Sequence, residues 1–327
     1  MNKFYLYTET AFHHQGDFGY LKKLILESKE AGAKGIKFQV LTNVNDFVST
    51  CHKAYKDLSS YCFSIEEWDQ IFSYTKSLEL DIIMMPLNIQ ALELLKKHSV
   101  RYIDIHSVSF NDSKLLKAIK KSNVEIILGV GGRTLDEIIT QKTYFGKRLK
   151  ILMVGFQSFP SKLEKIKLAK IEQLKSVFPE FEIGYADHSA FNDKYAILSN
   201  DYARLLGATF FEKHLTINEG EDRVDAASAV SPSKIAEIIE RLKFIEEYII
   251  NKENSFIMEE EEIAYRNRQL VCVAMRDLKS GEILNNHEIA LKMTHDPEHS
   301  FRVPSEISGK VLKRDIKMDQ QFTANHF

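Results

Sequence analysis

The chain has 327 residues, 44% hydrophobic and 28% charged, enough apolar content for one large core with a small appendage or for two medium domains. Its 44 basic and 46 acidic residues nearly cancel, which argues against a nucleic-acid-binding surface or a polybasic membrane patch and leaves a small metabolite as the expected ligand. Cys51, Cys62 and Cys272 show no C-x-x-C spacing, so no disulfide framework is expected and a reducing, cytoplasmic setting is. The opening MNKFYLYTET enters a strand pattern without the features of a signal peptide, and no run reaches the length of a membrane span.

Apolar runs of strand length recur along the chain at 4–9, 35–40, 81–86, 102–107, 125–130, 151–157, 182–188 and 209–214. Segments of helical period separate most of them. In 20–32, for example, Leu21, Leu24 and Ile25 share one face while Lys22, Lys23, Glu27 and Lys29 occupy the other. The segments 88–99, 114–122, 134–145, 163–178 and 192–207 read the same way. Strands alternating with helices predict an α/β fold with a parallel sheet, and eight such units predict a closed (β/α)8 TIM barrel over residues 1–250. The alternative, an open dinucleotide-binding sheet, lacks its glycine spacing in the one candidate turn, GVGGRT. Residues 251–268 are polar and acidic and read as a linker, with 259–262 a solvated helix start; 269–327 reads as a small β-rich domain.

In such a barrel, chemistry sits at the C-terminal ends of the strands. Polar residues gather there: Glu9 on the first strand, Lys37 and Gln39 on the second, Ser107 after the fourth, Gln157 on the sixth, Asp187 and His188 on the seventh, Glu212 and His214 on the eighth. Alternation puts Glu212 and His214 on one side of the eighth strand and Ala186 and His188 on one side of the seventh. Adjacent strands lie about 4.8 Å apart, so two inward imidazoles can bind one ion. Two imidazoles with water and a carboxylate suit Mn²⁺, Zn²⁺, Co²⁺ or Fe²⁺, acting as a Lewis acid on a carbonyl oxygen. Lys37 and Gln39 share a face and are suited to an anionic or hydroxylated substrate.

The stretch TETAFHHQGDFGYLKKLILESKEAGAKGIKFQV, the later GYADHS and FFEKHLTIN, and the LMVGFQSFPSKLEKIKL segment together resemble the N-acetylneuraminate (sialic acid) synthase family. The tail from YRNRQLVCVAMRDLKSGEIL to GKVLKRDIKMDQQF resembles the SAF, or antifreeze-like, domain that such synthases carry. This resemblance implies a metal-dependent condensation of phosphoenolpyruvate with an N-acetylated amino sugar, giving a sialic-acid-like nonulosonic acid and phosphate. It makes His188 and His214 the metal ligands, with Mn²⁺ foremost and Zn²⁺, Co²⁺ or Mg²⁺ as other choices. Glu9 and His14 fall near the reacting centre, and Glu212 becomes a base or an orienting group. Lys37, Gln39, Ser107, Gln157 and Asp187 are placed in the substrate pocket. A domain-swapped homodimer is implied, with the C-terminal domain over the partner's barrel.

The chain departs from the family pattern at several positions. Met84-Met85 precede Pro86 where Ser-Thr is usual, Asp104 stands for a phosphate-binding lysine, and Gly129 and Ala186 each replace a serine. In the C-terminal domain, Met293 stands for a sugar-contacting arginine. Each change removes a donor for phosphate or carboxylate, and an Asp in place of a Lys repels an anion. Two further readings therefore stand beside the synthase: a sugar-handling aldolase, lyase or epimerase on the same scaffold, and a non-catalytic synthase-like subunit.

Overall fold

The alternating runs become strands β1 (Tyr5–Glu9), β2 (Gly35–Val40), β3 (Asp81–Pro86), β4 (Tyr102–Ile105), β5 (Glu125–Gly129), β6 (Leu149–Val154), β7 (Glu182–Asp187) and β8 (Phe210–His214). Each pairs in parallel with the next, and β1 pairs with β8, closing the barrel. The computed structural model describes residues 4–155, 158–250 and 256–327. Two units divide the chain, Met1–Asn251 and Lys252–Phe327.

Helices α1 (Phe18–Glu30), α2 (Tyr55–Tyr61), α3 (Ile65–Ser77), α4 (Ser113–Lys120), α5 (Leu135–Phe145), α6 (Leu163–Ile166), α7 (Lys170–Val177), α8 (Leu198–Leu205) and α9 (Pro232–Phe244) lie between and after the strands. Local chemistry starts them. The Asp17 carboxylate accepts from Tyr20 N at 2.8 Å to cap α1, and reciprocal capping boxes, Ser64 with Glu67 and Thr134 with Glu137, open α3 and α5. Apolar faces of these helices pack on outward strand residues such as Ile36 and Phe38, with Leu21, Leu24, Trp68 and Phe72 buried between the layers.

Three helical expectations change on folding. Residues 89–96 form a 3₁₀ helix instead of an α-helix. The 163–178 stretch breaks into α6 and α7 because Lys167 takes a left-handed φ of 54°. Only the last part of 192–207 becomes helical, as α8.

Inside the barrel, a buried apolar layer of Tyr7, Ile83, Tyr102, Ile127, Ile151 and Met153 fills the space below the strand ends. Gly184 helps to make that layer fit, since a Cβ there would stand 1.9 Å from Met153 Sδ. This plug closes the lower barrel and leaves the C-terminal rim as the open end.

The second unit contains helix α10 (Glu260–Arg266) and an antiparallel pair, β9 (Val271–Ala274) with β10 (Ile289–Lys292). Its own core is Cys272, Ala274, Leu278, Leu284, Leu312 and Phe322, among others. The acidic run 259–262 does start a helix, with Glu259 and Glu262 closing a capping box. No helix among the described residues is long and apolar enough to cross a membrane.

Candidate active site

Register determines which side chains meet. Glu9 lies opposite Lys37 on one side and His214 on the other, and Ala186 lies opposite Glu212. Period-two alternation then sends Tyr7, Glu9, Lys37, Asp104, Glu212 and His214 into the barrel. Lys37 Nζ stands 2.8 Å from Glu9 Oε2, 2.9 Å from Asp104 Oδ2 and 2.7 Å from Glu212 Oε2. All four side chains are buried. An ammonium has three hydrogens, so this one is saturated by three carboxylates.

Beside this group, His188 Nε2 and His214 Nε2 face each other at 3.0 Å, and His214 Nε2 is 3.4 Å from Glu9 Oε2. His188 Nδ1–H donates to the Ala186 carbonyl at 3.1 Å, which leaves Nε2 with the lone pair. Burial holds both imidazoles in the neutral, ligating form, pushing His188 well below the ordinary histidine range and His214 to about 3. One donor atom each from Glu9, His188, Glu212 and His214 lies within 4.8 Å of the others. Neutral imidazoles and carboxylates converging in one buried place fit a divalent ion of the borderline class.

The two glutamates are pushed in opposite directions. Burial and the Glu9 carboxylate raise Glu212 above its ordinary value, and the Tyr7 hydroxyl donates to it at 2.8 Å. For Glu9, burial is outweighed by the Lys37 ammonium and by the Gln39 amide, which donates at 2.9 Å, so its carboxyl falls below the usual range. Neighbouring acids separated in this way hold different protonation states at one pH.

A cavity of about 270 Å³ opens above them, lined by Glu9, Lys37, Gln39, His106, Phe159 and Asp225, among others. Ser107, Met85 and His214 also border it. Asp225 was not anticipated. It follows β8 in a loop without periodicity, takes a left-handed φ of 60°, and is raised by burial and by Glu9 to about 6. An acid two strand-lengths beyond FFEKH was the only available signal.

Asp187, expected in the substrate pocket, and His14, expected near the reacting centre, lie elsewhere. Asp187 points into the helix layer, because the alternation that turns Ala186 and His188 inward turns it outward. There it accepts from Asn200 Nδ2 at 2.9 Å and pairs with Lys213 Nζ at 3.2 Å. His14 is stacked on Phe63 with ring centroids 4.8 Å apart and edge-on to Trp68, and its Nδ1 accepts from Gly16 N. Burial lowers it to about 3, so it is a neutral spacer of the β1–α1 turn and is absent from the cavity lining. Gln157 lies outside the described residues.

The departures at Asp104 and Gly129 are joined by His106. Its Nδ1 is 2.9 Å from Asp104 Oδ1, and its ring fills the space above Gly129, where a Cβ would come within 2.8 Å of Cδ2 and 2.9 Å of Nε2. Burial is outweighed by the Asp104 carboxylate, which raises His106, while Asp104 is drawn down to about 2 by His106 and Lys37 against its burial. Glycine at 129 is therefore the complement of the imidazole at 106. Gly129→Ser should destabilise the fold by about 1–3 kcal/mol through overpacking. Adding His106→Ala should recover part of the loss, so that the double variant costs less in thermal unfolding than the two singles together.

A closed parallel barrel with two imidazoles and two carboxylates buried at its C-terminal rim has the composition of a metal-assisted enzyme site. Residues 24–254 match the NeuB family, and the chain belongs to it. It is 24% identical to an N-acetylneuraminate-9-phosphate synthase of Drosophila melanogaster, over 98% of this chain and 95% of the relative. It is also 24% identical to an N,N'-diacetyllegionaminic acid synthase of Campylobacter jejuni, over 98% of this chain and 99% of that one. Among solved structures, an N-acetylneuraminic acid (sialic acid) synthetase from Leptospira borgpetersenii serovar Hardjo-bovis superimposes with a TM-score of 0.71 at 26% identity, over 81% of this chain and 91% of the other.

Proposed function

We propose that the protein condenses phosphoenolpyruvate with an N-acetylated amino sugar to give a nonulosonic acid and phosphate, with Mn²⁺ held by His188 and His214. The observation that carries this is the buried cluster of Glu9, His188, Glu212 and His214 at the strand ends of a NeuB-family barrel. Relatives named as synthases of N-acetylneuraminate 9-phosphate and diacetyllegionaminic acid support the product class.

The reaction forms a bond from the phosphoenolpyruvate methylene carbon to the sugar aldehyde carbon, adds water at the enol carbon and expels phosphate. A proton must leave the water and another must reach the aldehyde oxygen. Glu9, held ionised at the cavity wall, is the base for the first transfer, and Asp225, raised to about 6 at the same wall, is the donor for the second, while Glu212, raised but outside the lining, orients Glu9 and Lys37 from behind. When bound, the divalent ion supplies Lewis-acid polarisation of the carbonyl oxygen. Lys37, with its donors occupied by carboxylates, acts as the internal counterion that lets the acids stay close. The second unit is read as the SAF domain.

Mixing protein, Mn²⁺, phosphoenolpyruvate and a panel of N-acetylated amino sugars should give phosphate release that depends on the sugar and stops with EDTA. The acidic inner wall, with Asp104 where a phosphate-binding lysine is usual, favours the second reading of an aldolase, lyase or epimerase. Bound metal with no phosphate release from any sugar in the panel would overturn the synthase reading and leave that alternative and the non-catalytic subunit standing.

A further inference from the structure

The inner cavity is poor at receiving a phosphate. Glu9 and Asp225 line it, its one ammonium, Lys37, is already held by Glu9, Asp104 and Glu212, and a dianion brought against these acids is repelled. Cationic groups gather instead in a neighbouring cleft of about 610 Å³, lined by Arg133, Lys165, Lys167, Lys170, the Gly131–Gly132 turn and Ser107. Among the described residues no carboxylate is in its lining, and the acid closest to Arg133 is Glu137, its ion-pair partner. Ser107 lines both spaces, so the basic cleft adjoins the acidic cavity at the end of β4.

The cleft is partly preformed. Arg133 lies over the Phe110 ring at 4.2 Å and donates to the Ser107 carbonyl at 3.4 Å and to Glu137 Oε1 at 3.5 Å. Its Nε is buried without a hydrogen-bond partner among the described residues. Lys165 lies on α6, Lys170 opens α7, and Lys167 forms the left-handed turn between them. Lys165, Lys167 and Lys170 are exposed and have no ion pair among the described residues. Three uncommitted ammonium groups beside a fixed guanidinium, with no acid in the lining, make an electrostatic receptor for an anion.

We propose that this cleft binds the phosphate monoester of a substrate whose reacting end lies in the Glu9–His214 cavity. It replaces the anion site that Asp104 and Gly129 remove. The choice of ligands rests on the condensation reading above. Two sources share the chemistry, phosphoenolpyruvate and a 6-phosphorylated amino sugar.

The test uses the full chain and reads binding, which does not require turnover. Lys165→Gln/Lys167→Asn/Lys170→Gln keeps these exposed positions polar, and Asn tolerates the left-handed φ at 167. Calorimetry at low salt would titrate inorganic phosphate, phosphoenolpyruvate, N-acetylmannosamine 6-phosphate and unphosphorylated N-acetylmannosamine into wild type and variant. Thermal unfolding of both checks that the variant is folded. Loss of three exposed charges should weaken a phosphorylated ligand about tenfold, with wild-type affinity falling as salt rises and the unphosphorylated sugar unaffected. Weakening confined to one phosphorylated compound names the source, and weakening of both gives a shared phosphate seat. Equal affinity of wild type and folded variant for every phosphorylated ligand, or no binding of any to wild type, overturns the proposal. Phosphate bound in the cleft without release from phosphoenolpyruvate would instead overturn the condensation reading and leave this one standing.

Discussion

The His188→Ala/His214→Ala double variant should lose its divalent metal while keeping its barrel. Both imidazoles are buried, face each other across adjacent strand ends, and contribute half of the converging donor set. Loss of a group that merely supports a ligand costs roughly 10–100-fold in metal affinity, and loss of a ligand costs more. Two such losses leave only Glu9 and Glu212, both already engaged by Lys37. Metal content after gel filtration, measured by mass spectrometry, should fall from one equivalent to background. A second readout does not depend on catalysis. In EDTA the variant should already unfold at a lower temperature than the wild type, because removing two buried imidazoles leaves a cavity and strips the Ala186 carbonyl of its donor, so the readout is the metal-induced shift within each protein. Adding Mn²⁺ at about 100 times its dissociation constant should stabilise only the wild type, by about 2.7 kcal/mol. A double variant that still binds one equivalent would move the metal site to the acidic group around Lys37.

The sequence made the barrel legible through its repeated strand-length runs, and it made the convergence of His188 and His214 legible because alternation is strict at a strand end. His188 and His214 could be paired from two short segments, since neighbouring strands in a parallel barrel have neighbouring ends. The same rule, applied fully, would have sent Asp187 outward to Lys213, opposite it in register. What escaped was carried by distant contacts or aperiodic backbone. Lys37 and Asp104 meet across the barrel from strands that are not adjacent, and only closure brings them together. Asp225 sits in a loop, and His14 is defined by Phe63 and Trp68, which arrive on later segments. Helix α3 carried a readable signal in Ser64 and Glu67 followed by Trp68, Ile71 and Phe72. It and α2 both lie between β2 and β3, so two helices stand where simple strand–helix alternation predicts one.

Lys37→Met should be the most destabilising single substitution at the site. It leaves Glu9, Asp104 and Glu212 together, buried and without their shared cation, and breaking a buried ion pair on one side costs about 3–5 kcal/mol. The sign of the pH dependence follows. Without the ammonium, burial and mutual repulsion raise these carboxyls above their unfolded values. Such groups favour the folded state below the unfolded carboxylate range, and that contribution is lost as pH rises through the folded values. The deficit relative to wild type should therefore be smaller near pH 5 than near pH 8 in denaturant titrations. Asp104→Asn added to Lys37→Met should restore part of the stability, because one of the three charges is gone, and the pair should be clearly non-additive. A deficit under about 1 kcal/mol, or one that grows towards acid, would mean that the carboxylates do not depend on Lys37. The dependence matters for function, because a lysine spent on three internal acids cannot also hold a substrate phosphate without exposing them. If the substrate carries a phosphate, as proposed above, its cation must come from elsewhere, and Arg133 with Lys165, Lys167 and Lys170 is the cationic group in the neighbouring cleft.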